Sequence, residues 1–185
     1  MYNKWKYGEV KSDPVLINKM LDLLPNKVWS DPTLKWLDPG CGDGRFSWTV
    51  YDRLKKKING EDVICNQLYM IELNREKMNG LWDIFGKGAN IICGDFLSLK
   101  GEFDIIVGNP PFNSNGLKKV PTNTRLLKKC DGITIWPFFV RHAISLLKEG
   151  GMLCMIIPSI WMRPDKEKMY QLMMKYRIEK IHCFS

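Results

Sequence analysis

Short apolar runs alternate along this chain with longer amphipathic stretches. Six apolar runs have the length and composition of strands, at 33–37, 68–73, 90–93, 103–107, 152–158 and 178–184. Four stretches between or after them have helical periodicity, at 45–58, 75–85, 137–148 and 165–176. A further helix is predicted to begin at Asp13-Pro14, where an N-cap residue precedes proline. The alternation is typical of βαβ units and predicts an α/β fold, with a mostly parallel sheet covered by helices on both faces.

The segment 113–135 fits neither pattern. It is polar and basic, and Gly116, Pro121 and Gly132 interrupt it. A loop of this length inside a compact domain is usually either functional or disordered.

The composition agrees with a single folded domain. The chain has 185 residues, of which 45% are hydrophobic and 26% charged, so we predict one domain over 1–185. No apolar run approaches the length of a membrane span, and the first residues do not resemble a signal peptide. We therefore expect an intracellular protein with no membrane partner. The net charge of +8 makes nucleic acid a natural partner.

The cysteines and histidines argue against a metal site. None of the six cysteines forms a C-x-x-C pair, and the chain has only two histidines. A zinc site needs clustered ligands. We therefore predict no metal, no disulfide framework and a reducing compartment.

A glycine-rich turn follows the first predicted strand. The sequence Asp38-Pro39-Gly40-Cys41-Gly42-Asp43-Gly44 leads from that strand into a helix. Glycines allow a sharp turn and a close approach of the backbone to a ligand. The spacing differs from the dinucleotide fingerprint, and no Lys-Ser/Thr follows, as a P-loop would require. Asp38 would repel a pyrophosphate but attract a cationic or hydroxyl-bearing ligand.

Two more carboxylates come at the ends of the next two strands. Glu72 ends the second strand, where a carboxylate commonly accepts hydrogen bonds from ribose hydroxyls. Asp95 follows the third strand and is predicted to accept a bond from an adenine amino group, with Phe96 stacking on the ring. Because the carboxyl ends of parallel strands meet at one edge, three carboxylates there predict a nucleoside site.

The fourth strand runs into Asn109-Pro110-Pro111-Phe112. The two prolines make this turn rigid and remove backbone donors. The Asn109 side-chain oxygen and the Pro110 carbonyl form a pair of acceptors suited to one amino group. Phe112 is placed to stack on a planar base.

These motifs together resemble the amino-methyltransferases that use S-adenosylmethionine, and most closely the N6-adenine group in which the cofactor motif precedes Asn-Pro-Pro-Phe/Tyr. The resemblance extends from Ser12-Asp13-Pro14 to Pro158-Ser159. It implies a Rossmann-like class I methyltransferase fold and S-adenosylmethionine as cofactor. It assigns catalysis to Asn109, Pro110, Pro111 and Phe112, and cofactor binding to Asp38, Pro39, Gly40, Gly42, Glu72, Asp95 and Phe96.

The resemblance also implies an activity. We expect methyl transfer to the N6 amino group of adenine in nucleic acid, with DNA preferred over RNA. Similar turns serve RNA adenine enzymes and, as Asn-Pro-Pro-Tyr, enzymes that modify protein glutamine. A non-catalytic subunit that binds nucleic acid is a further alternative.

Two features concern the partners. Five cations follow the tetrapeptide closely, in a stretch without acidic residues: Lys118, Lys119, Arg125, Lys128 and Lys129. They predict a loop that contacts phosphates. The alternative is a charged loop that is simply solvated.

The family's usual sheet has seven strands, and we expect neither the seventh strand nor a separate target-recognition domain here. An open sheet edge predicts a homo-oligomer or a partner subunit.

Overall fold

The computed structural model describes residues 11–114, 133–163 and 168–184, and a five-stranded parallel sheet lies at its centre. The strands in chain order are β1 (Trp36–Asp38), β2 (Leu68–Glu72), β3 (Asn90–Cys93), β4 (Phe103–Gly108), β5 (Asn113–Ser114), β6 (Ile133–Thr134) and β7 (Leu147–Met155). The order across the sheet is β3-β2-β1-β4-β7, and β5 and β6 form a separate antiparallel pair.

Helices connect these strands. They are α1 (Pro14–Leu21), α2 (Arg45–Leu54), α3 (Met78–Phe85), α4 (Trp136–Ser145) and α5 (Met169–Met173). Single 3₁₀ turns lie at Asn26–Ser30, Arg75–Lys77, Phe96–Ser98 and Ser159–Met162, and a helical turn at Gly60–Asp62 continues into a π-helical Val63–Gln67. The predicted start of α1 is confirmed, because Asp13 Oδ1 accepts a hydrogen bond of 2.7 Å from the Val15 N–H and proline opens the helix.

The two faces of the sheet are covered by different helices. Alternate side chains of a strand point to opposite faces, and Trp36, Met70 and Ile105 pack with α1, α2 and α3. Their neighbours Leu37 and Ile71 pack on the other side with Phe96–Ser98 and α4. The predicted α/β fold, with a parallel sheet between two helical layers, is confirmed.

The strand register places the functional motifs side by side. Because all five strands are parallel, their carboxyl ends lie at the same edge of the sheet. The last residues of β1, β2 and β4 at this edge are Asp38, Glu72 and Gly108. β1 pairs with both β2 and β4. The glycine turn after β1 and the Asn-Pro-Pro-Phe turn after β4 therefore leave adjacent strands at the same end.

The boundary between the fourth helix and the last strand differs from its prediction. The helix predicted at 137–148 ends at Ser145, and β7 begins at Leu147 rather than at 152. Phe103 pairs with Leu147 but Ile105 pairs with Met152, so β7 bulges between them. Gly151 allows this bulge, since a Cβ there would lie 2.9 Å from the Lys148 carbonyl and 3.0 Å from that of Asp104.

The strand predicted at 178–184 is wrong. Residues 177–184 form no regular structure, and Ile181 and Phe184 are 54% and 48% exposed. The apolar residues of this run are three positions apart, so no single face of a strand collects them. Within the described residues, the outer edge of β7 has no partner strand. The helix predicted at 165–176 is seen only as the shorter α5, and 165–167 lie outside the described residues.

Two further observations concern the described part of the chain. None of its helices combines the length and apolar composition needed to cross a bilayer. Its five cysteines are free thiols, and burial raises the pKa of Cys154 to about 12.

Candidate active site at the carboxyl edge of the sheet

The glycine turn is held by backbone hydrogen bonds and by its packing on α3. The Cys41 N–H donates to the Ile71 carbonyl at 2.9 Å, and the Gly44 N–H donates to the Cys41 carbonyl at 2.8 Å. Gly42 and Gly44 have φ values of +60° and +82°, a conformation that favours glycine. A Cβ on Gly44 would lie 2.9 Å from Leu81 Cδ2. The glycines thus meet a conformational and a steric requirement of the turn.

Asp38 lies beneath this turn and is almost fully buried, with 1% of its surface exposed. Ser47 Oγ, in the first turn of α2, donates a hydrogen bond of 2.7 Å to Asp38 Oδ2. Burial raises the pKa of Asp38 to about 7, against hydrogen bonds from Ser47 and the Gly40 N–H, and the charge of Glu72 acts with burial. Asp38 therefore joins the end of β1 to α2.

Glu72 holds the turn from the neighbouring strand. Its Oε2 accepts a hydrogen bond of 2.8 Å from the Gly42 N–H, and its Oε1 accepts one of 2.7 Å from the Asn74 N–H. A carboxylate offers about four acceptor positions, and these two backbone bonds occupy two of them. A Cβ on Gly42 would lie 3.7 Å from Lys77 Nζ, which places a cation beside the same turn.

Asp95 and Phe96 lie beyond the end of β3. Asp95 is exposed, and its Oδ1 accepts a hydrogen bond of 2.9 Å from the Leu97 N–H. Phe96 is only 2% exposed, with ring centroids 5.0 Å from Phe139 and 4.9 Å from His142. The structure places the carboxylate at the predicted edge, but the Phe96 ring fills the core. Its stacking on adenine stays a prediction.

Asn109 follows the end of β4 and is partly buried. Its Nδ2 donates a hydrogen bond of 3.0 Å to Ser12 Oγ. Its Oδ1 is buried and has no hydrogen-bond partner among the described residues. Buried polar atoms are nearly always paired. An unpaired acceptor at this position is therefore suited to a hydrogen bond from a bound molecule.

The backbone on both sides of the tetrapeptide is fixed. The Ile156 N–H donates to the Gly108 carbonyl at 3.1 Å, and the Ile135 N–H donates to the Phe112 carbonyl at 3.0 Å. The half-buried Phe112 side chain packs against a cluster that includes Trp136. The turn therefore has little freedom to move relative to the sheet.

The two motifs lie next to each other. A Cβ on Gly108 would lie 3.2 Å from Asp38 Oδ1 and 3.2 Å from Pro39 Cδ. A Cβ on Gly40 would lie 4.0 Å from Pro111 Cδ. The glycine turn and the Asn-Pro-Pro-Phe turn thus form one site.

Sequence reasoning missed two hydroxyl groups of this site. A search for a partner of a buried carboxylate could have found Ser47, which comes three residues after Gly44 in the first helical turn. Ser12 lies 97 positions from Asn109, and no sequence pattern connects them.

The five predicted loop cations lie outside the described residues, so their role stays a prediction: Lys118, Lys119, Arg125, Lys128 and Lys129. The segment that carries them leaves and re-enters the domain at one place, because β5 and β6 pair Asn113 with Thr134 and Ser114 with Ile133.

These side chains fit S-adenosylmethionine. That molecule carries ribose hydroxyls, an adenine amino group and positive charge, and the edge offers Glu72, Asp95 and a glycine turn that a backbone-close ligand can approach. Beside them, the unpaired Asn109 Oδ1 can receive a further N–H from a second molecule.

Comparisons with known proteins bear on the same residues. A family model described as Eco57I restriction-modification methylase matches residues 34–185. The chain is 30% identical over 138 residues to the modification methylase CviBIII of Paramecium bursaria Chlorella virus NC1A, covering 69% of this chain and 32% of that protein. It is 25% identical over 173 residues to the type II methyltransferase M.TthHB8I of Thermus thermophilus, covering 85% of this chain and 36% of that protein.

A relative with a different substrate class is also similar. The release factor glutamine methyltransferase of Borreliella burgdorferi is 29% identical over 127 residues, covering 64% of this chain and 43% of that protein. The chain thus spans less than half the length of each of these three relatives.

Solved structures share the fold. The M protein of the type I restriction enzyme EcoKI superposes with a TM-score of 0.63 at 17% identity, over 86% of this chain and 36% of that one. The structure of a DrdV–DNA complex superposes with a TM-score of 0.64 at 19% identity, over 92% of this chain and 23% of that one.

Proposed function

The chain belongs to the Eco57I restriction-modification methylase family, and from this premise we propose that it methylates the N6 amino group of adenine in nucleic acid, with DNA as the substrate. S-adenosylmethionine is the cofactor that the family and the class I methyltransferase fold imply. The observation that carries the proposal is the buried Asn109 Oδ1, which has no hydrogen-bond partner among the described residues and belongs to the turn after β4, next to the glycine turn.

The amino group of adenine is a weak nucleophile, and the acceptors of the tetrapeptide compensate for this by orienting it. The lone pair of its amino group is delocalised into the ring. Asn109 Oδ1 and the Pro110 carbonyl accept the two N–H groups and hold the nitrogen so that its lone pair points away from the ring plane. S-adenosylmethionine supplies an electrophilic methyl group when bound. The new N–C bond forms as the C–S bond breaks, the sulfur keeps the electron pair, and one amino proton passes to water.

The glycine turn and its carboxylates hold the cofactor in this proposal. Glu72 accepts bonds from ribose hydroxyls in addition to those from the Gly42 and Asn74 N–H groups, and Asp95 accepts one from the adenine amino group. Gly40 and Gly42, with Pro39, let the backbone approach the ligand closely. Asp38 lies beneath the turn and holds it in place by accepting hydrogen bonds from Ser47 and from the Gly40 N–H. The protein thus contributes alignment, and alignment is what a bimolecular transfer mainly needs.

The target base has to leave its stack to reach these acceptors. Phe112, half-buried against the cluster around Trp136, is the proposed stacking partner. The five cations of the loop are proposed to contact phosphates, which position a nucleic acid without specifying its sequence.

One observation supports DNA over the other substrates, and a second supports nucleic acid over protein. Restriction-modification systems act on DNA, and the matched family and the viral and Thermus relatives carry modification or type II methyltransferase names. The net charge of +8 also favours a polyanion.

Protein glutamine is the second candidate, supported by the similarity to the Borreliella enzyme. A glutamine side chain ends in an NH₂ group, which the same pair of acceptors can hold. The tetrapeptide alone therefore does not separate the two candidates.

The test is methyl transfer from labelled cofactor to three substrates in parallel: unmethylated DNA, RNA, and a glutamine-containing release-factor peptide. We expect label in DNA that is recovered as N6-methyladenine after digestion, and none with Asn109→Ala. Label in the peptide alone would replace the proposal with its alternative. No label in any substrate, from protein that binds the cofactor, would overturn both.

A partner chain stays a proposal. The outer edge of β7 carries no partner strand among the described residues, and an open edge can pair with another chain. Sedimentation with and without DNA measures whether the protein is a monomer or associates with a second chain.

A further inference from the structure

A groove lies in the helical layer that α1 and α2 form over one face of the sheet. It has a volume of about 530 Å³ and is lined mainly by α2, together with Asn18 of α1 and two residues of the 3₁₀ turn at Asn26–Ser30. None of the described residues that line it belongs to the candidate active site. The groove is therefore a separate feature of the surface.

Two tryptophans line this groove. Trp48, in the first turn of α2, is 43% exposed, and Trp29 of the 3₁₀ turn is half-buried. Tryptophan is on average a well-buried residue. The Trp48 ring is nevertheless held in place, because its centroid lies 5.4 Å from that of Tyr51 and 6.0 Å from that of Phe85. A fixed and partly exposed indole ring is suited to stack on a planar group.

The end of the groove beyond the last turn of α2 is strongly positive. Lys55, Lys56 and Lys57 follow this helix and are all exposed, and the last two line the groove. Asp52 offsets one charge, with Oδ1 at 3.1 Å from Lys55 Nζ and Oδ2 at 3.1 Å from Lys56 Nζ. A helix C-terminus carries only about half a negative charge. Positive charge is therefore left over, and it favours an anionic ligand.

Arg53 holds the elements around the groove together. Its Nη2 donates hydrogen bonds to Asn18 Oδ1 at 2.7 Å and to the Asn18 carbonyl at 3.1 Å. Its Nη1 lies 2.8 Å from Asp22 Oδ1, and its Cζ lies 5.2 Å from the ring centroid of Trp29. These contacts connect α2 to α1 and to the 3₁₀ turn, so the groove is formed before any ligand binds.

Aromatic rings beside cations are the combination that single-stranded nucleic acids require. Bases stack on the rings, and phosphates meet the cations. In a duplex the faces of the bases are covered by their neighbours, so Trp48 could not stack on them. An acidic peptide could pair with the cations but offers no planar face to the tryptophans. The groove therefore favours an unpaired strand over both.

We propose that this groove binds an unpaired stretch of nucleic acid, with a base stacked on Trp48 and phosphates at Lys56 and Lys57. The inference rests on the proposed function, in which nucleic acid is the substrate. Trp48 comes one helical turn after the glycine turn, and its N–H donates to the Gly44 carbonyl at 2.7 Å. The groove thus begins close to the candidate active site, as a second contact for the same strand requires.

Binding of a labelled oligothymidylate of about 12 nucleotides, measured by fluorescence anisotropy, tests the groove. This strand contains no adenine, so the readout does not depend on methyl transfer. Trp48→Ala should weaken binding of the strand about tenfold, whereas binding of its duplex with oligodeoxyadenylate should stay within about twofold of the wild type. Trp82→Ala, at an exposed tryptophan of α3 outside the groove, is the matched control and should change neither.

Two further variants separate stacking from charge and from folding. Trp48→Phe keeps a ring that can pack on Tyr51 and stack on a base, so it should bind the strand within about threefold of the wild type. It decides the test where Trp48→Ala lowers the melting temperature. Lys57→Gln should reduce the slope of log affinity against log salt by about 0.7 for the single strand, and Lys87→Gln, at an exposed position outside the groove, should not.

Each outcome supports or overturns the proposal. Wild-type affinity for the strand in Trp48→Ala overturns it, and so does an equal loss for strand and duplex, because stacking needs an uncovered base. A folded Trp48→Phe that binds no better than Trp48→Ala, or an unchanged salt slope in Lys57→Gln, also overturns it. Oligoglutamate that binds more tightly than the strand, with the same dependence on Trp48, would replace it with an acidic protein partner. If the wild type methylates no adenine but binds the strand through Trp48, the proposed function fails and the groove stands.

Discussion

Glu72 and Asn109 are both acceptors at the carboxyl edge of the sheet, but their hydrogen bonding differs. Glu72 accepts from two backbone N–H groups and thereby holds the glycine turn. Asn109 donates through Nδ2 to Ser12 and leaves Oδ1 buried without a partner. The proposed cofactor half of the site, which comprises the glycine turn with Asp38, Glu72 and Asp95, is thus stabilised by the polar groups it presents. The proposed target half, the 109–112 turn, retains an unsatisfied acceptor.

The difference indicates what each half requires. A turn that holds a cofactor has to keep its shape before the cofactor arrives, so its carboxylates serve structure as well as binding. An acceptor for a reacting amino group has to be free of competing donors, and this costs some stability. Substitutions in the cofactor half should therefore change both stability and binding, whereas those in the target half should change turnover alone.

The largest expected effect is on turnover, from Asn109→Ala. The substitution removes an acceptor for the target amino group, and we expect kcat to fall about 10³-fold, as when one preorganised hydrogen-bonding group is lost from an active site. Cofactor affinity by calorimetry and the melting temperature should stay close to the wild type, since no bond of the glycine turn is touched. Asn66→Ala, at an exposed position, is the control. A large loss of stability in Asn109→Ala would contradict the contrast between the two halves.

Asp38→Asn should change how stability depends on pH. Because the pKa of Asp38 rises from 3.8 to about 7 on folding, the folded state binds the proton more tightly than the unfolded state. The resulting stabilisation is fully present below about pH 4 and is lost as pH rises through about 7, a change of about 4 kcal/mol for this group. Asp38→Asn should remove this decline, measured by urea unfolding from pH 4 to 8. Asp83→Asn, on the exposed surface of α3, should retain it; a decline that persists in Asp38→Asn would assign it to another group.

Gly44→Ala should destabilise the cofactor half directly. The new Cβ would lie 2.9 Å from Leu81 Cδ2 at a φ of +82°, and we expect a loss of about 3 kcal/mol in unfolding free energy. Gly80→Ala is the matched control, since a Cβ there meets nothing within 4 Å and alanine should stabilise the helix by up to about 1 kcal/mol. Equal stabilities for the two variants would show that the turn is not constrained as the structure indicates.

Glu72→Gln should affect stability and binding together. Glu72 accepts from one N–H group with each oxygen, whereas glutamine keeps one neutral acceptor and turns an NH₂ group toward the other N–H. We therefore expect a loss of about 1 to 2 kcal/mol in stability and weaker cofactor binding. Thermal unfolding with and without S-adenosylmethionine measures both, because a ligand of the folded state raises its melting temperature. A change in one quantity only would weaken the argument that Glu72 has a double role.

The smallest effect concerns the loop cations. Lys118→Gln or Lys129→Gln should each weaken DNA binding a few-fold and reduce the slope of log affinity against log salt by about 0.9, if each lysine meets one phosphate of a duplex. Lys87→Gln, at an exposed position, should leave the slope unchanged. A slope that neither loop variant alters would remove these residues from the phosphate contacts.

The regular elements of the fold were the most predictable part. β2, β3 and β4 lie within one residue of their predicted bounds, because buried strands of a parallel sheet read as continuous apolar runs. The start of β7 was misplaced because Gly150-Gly151, which separates the predicted helix from the predicted strand, lies inside the strand and allows a bulge there. The run at 178–184 has strand-forming residues but no neighbouring strand, and propensity alone does not form one.

The sequence by itself determined the fold class, the order of the motifs and the chemistry that they present. Glycine at a turn, proline in a rigid turn and a carboxylate at a strand end express local backbone geometry, and such geometry is readable from neighbouring residues. Only the tertiary structure decided that Asp38 is buried on Ser47, that Phe96 fills the core, and that Ser12 meets Asn109 from 97 positions away. Contacts of this kind arise from how helices pack on a sheet, and hydrophobic periodicity says which face a residue occupies but not which side chain it meets there.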